Sequence, residues 1–373
     1  MMRARTKIVY IYYMNTILQN LGFDEFFESQ RKDLRIEIDS IARVVAEHKG
    51  MYHVKNSKGE LRARVLGKQM YDAASREDYP VVGDWIEIAI IDNDLAIIKQ
   101  ILRRKTVIRK MAVSRKSPGK TKSQIIAANV DFAFVVEAVD RDYSLNRLER
   151  YFALAKDGGV QPIIILNKVD LISRIDLADK VSEIGDRFGG CEIMSSSTAT
   201  YEGLDCLRNF LQSGKTYCFL GSSGVGKSSL INALIGESIV KTGVVGASSG
   251  RGKHVTTHRE MYVLDSGGIL IDNPGMREVG SANDGEGIKA TFGEIENFAA
   301  MCQFADCSHI HESGCAVLEA VESGELDRDR YKNYIQLKKE SKHYEMTDYE
   351  KRKTDKKFGQ AIKNYHKRMR ELE

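Results

Sequence analysis

The octapeptide Gly221–Ser228 constrains the fold of this chain more than any other stretch of its sequence. It reads GSSGVGKS and matches the pattern G-x-x-x-x-G-K-[ST]. The apolar run Thr216–Leu220, a predicted strand, precedes it, and an amphipathic run at 229–235, a predicted helix, follows it. Glycines let successive backbone N–H groups surround phosphate oxygens, and the helix N-terminus adds a favourable dipole. The motif therefore predicts a phosphate-binding loop, in which Lys227 neutralises the β/γ oxygens and Ser228 ligates Mg²⁺.

The residues expected to contact the nucleotide phosphates form one continuous stretch. They are Gly221, Ser222, Ser223, Gly224, Val225, Gly226, Lys227, Ser228 and Ser229. Around them, apolar runs alternate with helical patterns from Phe132 to about Val279. The predicted strands are 132–136, 160–166, 191–194, 216–220 and 268–271. Strands that alternate with helices predict a parallel sheet with helices on both faces.

A second motif, Asn167-Lys168-Val169-Asp170, follows a predicted buried strand and selects the base. Guanine offers N1–H and N2–H₂ as adjacent donors, and the Asp170 carboxylate can accept from both. Adenine lacks this pair and would leave a buried polar group unsatisfied. We expect Asn167 to reach the guanine carbonyl side and link neighbouring loops, and the stem of Lys168 to pack along the base. Residues 195–198 predict a second base-contacting loop, in which the participating serine stays open.

A third motif, Asp272-Asn273-Pro274-Gly275, also follows a predicted strand. We expect Asp272 to hold Mg²⁺ through water and the Gly275 N–H to meet the γ-phosphate. A Gly/Ser-rich segment at 243–252 precedes it and predicts a switch loop, in which Thr257, or alternatively Thr256, would meet Mg²⁺.

The residue after Gly275 is Met276, where many GTPases carry a water-orienting glutamine. Methionine cannot hydrogen-bond a water molecule, so we expect slow intrinsic hydrolysis that a partner stimulates. His254 is the nearest candidate for a substitute, with a loop histidine of no catalytic role as the alternative.

The order of these motifs is unusual. In most GTPases the phosphate loop comes first and the Asn-Lys-x-Asp loop after it, whereas here Asn167–Asp170 precedes Gly221–Ser228. The same site can form after circular permutation, because a chain can be cut in an exposed loop without loss of the fold. The chain after Asp272–Gly275 then leads directly into the C-terminal region, so the nucleotide state could move that region.

The N-terminal third has a different pattern. Residues 16–30 predict one short helix, and Arg35 to about Leu102 predict several short alternating strands. This size suits a five-stranded barrel of the oligonucleotide-binding type, and an SH3-like barrel is the alternative. The first residues imitate a signal peptide only faintly, since the apolar stretch is short and no small-residue cleavage site follows. Met14 is an alternative initiator.

Charge and cysteine content point to a polyanion partner and a metal. The net charge is only +4, but residues 103–122 carry nine Lys/Arg and no acid, and 331–373 carry a net +6. Solvated surface segments are the alternative.

The run Cys302-x₄-Cys307-x-His309-x₅-Cys315 predicts a structural Zn²⁺ site, with His311 as a competing ligand and free cysteines as the alternative.

Together these features resemble the small ribosomal subunit biogenesis GTPase A family of bacteria over nearly the whole chain. The resemblance rests on the permuted motif order, Val82-Gly83-Asp84-Trp85 and the cysteine cluster. It implies GTP hydrolysis stimulated by the small ribosomal subunit, contact of the barrel and zinc domain with rRNA, and a cytoplasmic location. We also expect a monomer, and no membrane association because the chain has no run of about 18 apolar residues. The four residues of the cluster match the family's zinc ligands. Val255 departs from a threonine-rich switch pattern.

We therefore expect a multidomain chain with five parts. They are an N-terminal segment with a short helix (1–34), an oligonucleotide-binding-type β-barrel (35–110), a basic linker (111–125), a circularly permuted α/β GTPase domain (126–280) and a helical zinc-binding domain with a basic tail (281–373). Two other functions are kept open: a nucleic-acid-binding module with a structural nucleotide, and a GTPase of the large subunit.

Overall fold

The computed structural model of the chain describes residues 16–48, 50–66, 76–113, 121–236, 259–273 and 285–345. The strands are β1 (Ile41–His48), β2 (Met51–Asn56), β3 (Gly59–Val65), β4 (Trp85–Asp92), β5 (Leu95–Ile101), β6 (Val107–Val113), β7 (Thr121–Ala128), β8 (Phe132–Ala138), β9 (Gln161–Asn167), β10 (Ile193–Ser196), β11 (Thr216–Leu220), β12 (Glu260–Val263) and β13 (Ile269–Asp272).

The helices fall into an N-terminal pair, four helices of the α/β layer and four helices at the C-terminal end. They are α1 (16–20), α2 (Glu25–Asp33), α3 (Leu145–Asp157), α4 (Arg174–Phe188), α5 (Leu204–Phe210), α6 (Lys227–Ile235), α7 (Glu286–Thr291), α8 (Gly293–Ala299), α9 (Ala316–Ser323) and α10 (Arg328–Glu345). Among the described helices, none is long and apolar enough to cross a bilayer.

The first five strands form a closed barrel in the order β1-β2-β3-β5-β4, and a β1–β4 pairing closes it. The β3–β5 pairing is parallel and the other pairings are antiparallel. Alternate residues point inward, so that Val44, Val54 and Ile88 share one buried cluster. The barrel of the oligonucleotide-binding type is therefore confirmed.

The central sheet has the order β10-β9-β8-β11-β13-β12. Its first five strands are parallel and β12 runs antiparallel to β13. Separate apolar clusters cover its two faces, which explains why the strands are continuous apolar runs. Helices after β8, β9, β10 and β11 lie on these faces, and the α/β layer predicted from the alternating pattern is confirmed.

The barrel and the central sheet are hydrogen-bonded to one another. Strand β12 pairs with β1 at Ala46 and Glu260, so the two form one eleven-stranded sheet. Because β12 starts directly after residues 237–258, the chain that leaves the predicted switch segment enters a strand held by the barrel.

A separate antiparallel hairpin, β6–β7, lies between the barrel and the central sheet. The sequence suggests a basic linker at 111–125, but residues 111–113 belong to β6 and 121–125 to β7. Three cations of the basic stretch are paired within the protein. Arg104 binds Asp84, Lys105 binds Asp24 and Arg109 binds Glu77. These ion pairs reduce the positive charge that the stretch can offer to a partner.

The junction of barrel, N-terminal helices and α/β layer is built around Arg43, which is 1% exposed. Its guanidinium donates to the carbonyls of Leu21, Gly83 and Asn129 at 2.5, 3.2 and 3.0 Å. Gly83 has φ +96°, and a Cβ there would lie 2.0 Å from the Ala128 carbonyl oxygen. Glycine is therefore required where the barrel touches the hairpin.

The single helix expected at 16–30 is wrong, because two helices replace it. Gly22 has φ +85°, where α1 gives way to α2, and a Cβ there would lie 2.8 Å from the Arg43 guanidinium. The Asp24 carboxylate then caps α2 by accepting from the Phe26 N–H at 3.1 Å. A glycine followed by a capping aspartate is a helix boundary that the apolar spacing conceals.

Helices α7–α10 form a C-terminal domain around Phe292, Val317 and Tyr334. It packs on α3 of the α/β layer through the close approach of Gly287, whose Cβ would lie 2.1 Å from the Ala153 carbonyl oxygen. The buried Glu149 of α3 is paired there with residues of α4 and α10. Its partners are Arg187 at 2.9 Å, Arg330 at 3.5 Å and Asn333 at 2.5 Å.

Candidate functional site

The phosphate loop lies between β11 and α6, and its glycines have the conformations that the motif requires. Gly221, Gly224 and Gly226 have φ values of +145°, +91° and +100°. A Cβ on Gly221 would lie 2.4 Å from the Val136 carbonyl oxygen, and one on Gly226 would lie 2.2 Å from Asn167 Nδ2. Side chains at either position would collide with neighbouring strands or loops, so the loop can close only with glycine there.

Lys227 begins α6 and lies inside this loop, with 8% of its surface exposed. Its ammonium donates to the carbonyls of Gly221 and Ser222 at 2.8 and 2.6 Å. Burial lowers the pKa of Lys227 to about 8, and the nearby carboxylates of Asp272 and Glu137 oppose that shift. The loop therefore holds a positive charge that has lost most of its water and that anionic phosphate oxygens would stabilise.

Asp272 ends β13 beside the phosphate loop and is 1% exposed. Its Oδ2 atom has no hydrogen-bond partner among the residues that the structure describes. Burial raises the pKa of Asp272 to about 6, Lys227 opposes this shift and Glu260 adds to it. The carboxylate of Asp272 and the hydroxyl of Ser228, which follows Lys227 in the phosphate loop, are oxygen donors of the kind that Mg²⁺ prefers. The residues present therefore fit a magnesium ion.

Asn167 ends β9 and connects three loops. Its side-chain amide donates to the Val225 carbonyl of the phosphate loop at 2.8 Å and accepts from Ser196 Oγ at 3.1 Å. Because Asn167 is 1% exposed, these bonds are shielded from water. The Asn-Lys-x-Asp motif and the phosphate loop, which lie more than fifty residues apart in the sequence, are thereby joined.

Asp170 is exposed and available to a base. Its Oδ1 accepts from the buried Ser197 hydroxyl at 2.5 Å, and Ser197 Oγ in turn accepts from the N–H groups of Ala199 and Thr200 at 3.1 and 3.2 Å. The serine loop therefore orients the carboxylate. Ser196 contacts Asn167 and Ser197 contacts Asp170, so both serines support the Asn-Lys-x-Asp motif, and contact of this loop with a base stays a prediction.

Sequence reasoning missed two acidic residues near these loops. Asp140 follows β8 and binds the Lys168 ammonium through Oδ2 at 2.9 Å. Glu137, near the end of β8, is fully buried and paired with Arg147 of α3. Burial raises the pKa of Glu137, and Arg147 opposes that shift. An acid inside an apolar strand was the available signal for Glu137, whereas Asp140 lies in a loop without a motif.

Several expected site residues lie outside the described part of the chain. These are His254, Val255, Thr256, Thr257, Pro274, Gly275 and Met276. The predictions for the switch threonine, the γ-phosphate contact and the water-orienting group therefore stay predictions.

The C-terminal domain brings Cys302, Cys307, His309 and Cys315 together, with their ligand atoms all within 4.8 Å of one another. His309 Nδ1 lies 3.5 Å from Cys302 Sγ and 3.6 Å from Cys315 Sγ. The His309 carbonyl accepts from the Tyr331 hydroxyl of α10 at 2.7 Å, which fixes the loop. Burial lowers the pKa of His309, which favours the neutral imidazole that a metal needs.

The competing ligand His311 is exposed and lies outside this group of four. Three sulfurs and one imidazole nitrogen in a group of this size can hold one metal ion in a closed tetrahedron.

Comparison with known proteins matches the chain to one family of GTPases. The RsgA GTPase family model matches residues 101–282. The chain is 37% identical over 342 residues to Small ribosomal subunit biogenesis GTPase RsgA 1 of Bacteroides thetaiotaomicron, covering 91% of this chain and 92% of the relative. It is 40% identical over 363 residues to Small ribosomal subunit biogenesis GTPase RsgA of Leptospira interrogans, covering 96% and 98%.

Two solved structures are also similar. The crystal structure of YjeQ from Thermotoga maritima has a TM-score of 0.58 and 28% identity, and the match covers 81% of this chain and 98% of that one. The crystal structure of YloQ, described as a circularly permuted GTPase, has a TM-score of 0.56 and 25% identity, covering 82% and 96%.

Proposed function

This chain belongs to the RsgA GTPase family, and we propose that it hydrolyses GTP to GDP and phosphate as a maturation factor of the small ribosomal subunit. The observation that carries the proposal is the hydrogen bond between Asn167 Nδ2 and the Val225 carbonyl. It brings a guanine-selecting motif and a phosphate-binding loop into one site despite their reversed order in the chain.

In this proposal the nucleotide is held at two ends. The carboxylate of Asp170, oriented by Ser197, accepts the N1–H and N2–H₂ donors of guanine. The backbone N–H groups of the phosphate loop and the ammonium of Lys227 bind the phosphate oxygens. Binding at both ends fixes the γ-phosphate relative to the phosphate loop, and this positioning supplies much of catalysis in phosphoryl transfer.

Ser228 and Asp272 are the residues that would hold Mg²⁺, directly and through water. A bound magnesium ion would neutralise charge on the β- and γ-phosphates. Before the ion binds, Asp272 has a raised pKa because it is buried, so cation binding would relieve an unfavourable charge. Thr257, Gly275 and His254 are proposed to complete the site as switch threonine, γ-phosphate donor and water-orienting group.

The cluster of Cys302, Cys307, His309 and Cys315 is proposed to bind one Zn²⁺. A structural zinc ion supplies folding energy and no open position for chemistry. It would hold the loop at 302–315 against α10, which the Tyr331 hydroxyl already joins to the His309 carbonyl.

The ribosomal part of the proposal draws on the names of the relatives and on the basic segments at 103–122 and 331–373. We propose that the barrel, the zinc domain and the basic segments bind rRNA of the small subunit, and that the protein acts as a cytoplasmic monomer. Electrostatic contact with RNA predicts that association weakens steeply as salt rises.

The test is a GTPase assay with and without purified small and large subunits. We expect slow hydrolysis by the protein alone, strong stimulation by small subunits, and no activity of Lys227→Ala in either case. Binding of GTP without hydrolysis, even on the ribosome, would support a nucleic-acid-binding module with a structural nucleotide. Stimulation by large subunits alone would contradict the small-subunit assignment.

Base selection is tested separately with Asp170→Asn. An asparagine accepts one donor and presents its own amide to the other, so GTP affinity should fall and XTP affinity should rise. Asp265→Asn removes the same charge from the exposed β12–β13 turn, which precedes β13 at the opposite end of the strands, and should change neither affinity. Unchanged preference for GTP in Asp170→Asn would refute the role of Asp170.

A further inference from the structure

The loop that follows β8, residues 139–144, lies directly beside the Asn-Lys-x-Asp motif. Strands β8 and β9 are parallel neighbours, with Ala138 opposite Asn167. The contact continues past the strand ends, because the Val139 N–H donates to the Asn167 carbonyl at 3.1 Å. Residue 140 is thereby placed next to Lys168, the second residue of the motif.

Asp140 uses its two carboxylate oxygens for different partners. Oδ1 accepts from the Asp142 N–H at 3.1 Å, which closes a tight turn, and Oδ2 accepts from the Lys168 ammonium at 2.9 Å. About a quarter of each side chain is exposed, so the pair is partly shielded from water. Burial raises the pKa of Asp140, but the hydrogen bonds from Lys168 and the Asp142 N–H, together with the charges of Lys168 and Arg141, lower the pKa overall.

Lys168 combines a left-handed backbone with a long, flexible side chain. Its φ is +62°, a left-handed conformation that few non-glycine residues adopt. A lysine stem has four rotatable bonds, and ordering it on a ligand costs conformational entropy. An ion pair at its tip restricts these rotations before the ligand arrives.

The start of α3 and the end of β8 hold the 139–144 loop in place. Arg147 of α3 donates to the buried Glu137 carboxylate, at 3.0 Å from Nε, and to the Asp142 carbonyl. Ser144 caps the N-terminus of α3 by accepting from the Arg147 N–H at 3.3 Å. The position of Asp140 is therefore fixed by the core of the sheet and not by the loop alone.

We propose that Asp140 is a positioning residue for guanine recognition, which acts by holding the Lys168 side chain along the plane of the base. This inference rests on the proposed guanine nucleotide site and adds a residue outside the motifs. It differs from the role of Asp170, which reads the hydrogen-bonding edge. Loss of Asp140 should weaken binding of any purine that Lys168 covers, without changing which purine is preferred.

The experiment measures dissociation of fluorescent GDP and IDP from the full chain in Mg²⁺ buffer. Asparagine at 140 keeps an oxygen for the Asp142 N–H and presents its amide to the lysine, so Asp140→Asn removes the ion pair but keeps the turn. Asp142→Asn is the matched control, because it removes the same charge from an exposed side chain of the same loop.

For Asp140→Asn we expect GDP and IDP to bind about three- to fivefold more weakly, mainly through faster dissociation. The GDP-to-IDP affinity ratio, which Asp170 sets, should stay at the wild-type value. Asp142→Asn should match the wild type for both nucleotides. Equal affinities of the two variants would overturn the proposal, and so would a changed GDP-to-IDP ratio in Asp140→Asn.

A double-mutant cycle separates positioning from an effect on loop folding. Lys168→Met keeps most of the stem and removes the ammonium. If Asp140 acts through Lys168, Asp140→Asn has no further effect in the Lys168→Met background. A full additional loss in that background would assign Asp140 a structural role and refute the inference. Failure of the wild-type protein to bind GDP would instead refute the proposed function, so the two failures are distinguishable.

Discussion

The variant Asp272→Asn should show separately how the buried carboxylate affects folding stability and how it affects hydrolysis. The Asp272 carboxyl has a pKa raised from 3.8 to about 6 by burial, although Lys227 opposes the shift. This pKa difference corresponds to a free energy of about 3 kcal/mol. Ionised Asp272 therefore destabilises the folded protein by about that amount at neutral pH. Asparagine at this position carries no charge and avoids that penalty. The variant should lose Mg²⁺-dependent hydrolysis and gain stability relative to the wild type.

The pH dependence follows from linkage. Below pH 3.8 the carboxyl is protonated in both the folded and unfolded states, and Asp272 contributes no penalty. Between pH 3.8 and 6 the unfolded state releases its proton first, so the stability of the wild type falls as the pH rises. Above pH 6 the penalty is complete. The stability difference between Asp272→Asn and the wild type should therefore grow by about 1 kcal/mol from pH 5 to pH 7.

The assay is urea unfolding of both proteins at pH 5 and pH 7, in EDTA and without nucleotide, followed by circular dichroism. The difference between the two proteins cancels the titration of groups they share. The range ends at pH 7 because burial lowers the pKa of Lys227 to about 8. A stability difference that is the same at pH 5 and pH 7 would refute the reasoning. Magnesium with GDP should then stabilise the wild type and not the variant.

Three further predictions concern the rest of the molecule. In calorimetry, Gly83→Ala should lower stability by about 2 kcal/mol more than Gly50→Ala. Both glycines have positive φ, but only a Cβ at position 83 would lie 2.0 Å from a carbonyl oxygen. Equal losses of stability would contradict this packing argument. If the cluster binds zinc as proposed, His309→Ala should lose the ion while His311→Ala keeps one ion per chain by elemental analysis, and the reverse result would exchange the ligands. Glu149→Gln should destabilise the C-terminal domain by about 3 kcal/mol, because two arginines remain without their carboxylate; an unchanged transition temperature would show that the pair contributes nothing.

The sequence predicted the parts of the fold that rest on local patterns. Continuous apolar strands and a glycine-rich loop have direct physical causes, so the parallel sheet and the site of Gly221–Ser228 could be read from the residues. The cysteine cluster was also readable, because few arrangements satisfy three thiols and an imidazole within fourteen residues. The family assignment made from these motifs is confirmed.

Features that depend on distant partners were not readable. The boundary between α1 and α2 at Gly22 depends on the close approach of Arg43, twenty-one residues away in the sequence. The spacing of apolar residues in a helix does not reveal such a contact. The strands β6 and β7 were hidden because their basic residues imitate a solvated linker. Asp140 was missed because its role depends on the alignment of β8 with β9, which brings it to Lys168.

The position of β11 has a consequence for synthesis on the ribosome. This strand carries the phosphate loop and lies between β8 and β13, yet β8 is made more than eighty residues before it and β13 about fifty after. A nascent chain that has reached β10 can assemble β8, β9 and β10, but the edge of β8 stays open until β11 emerges. The part of the proposed pocket that carries Asn167–Asp170 is thus made first, and the phosphate loop Gly221–Ser228 is made later. Newly made protein consequently cannot bind GTP at both ends until the phosphate loop, which ends at residue 228 of 373, has been translated.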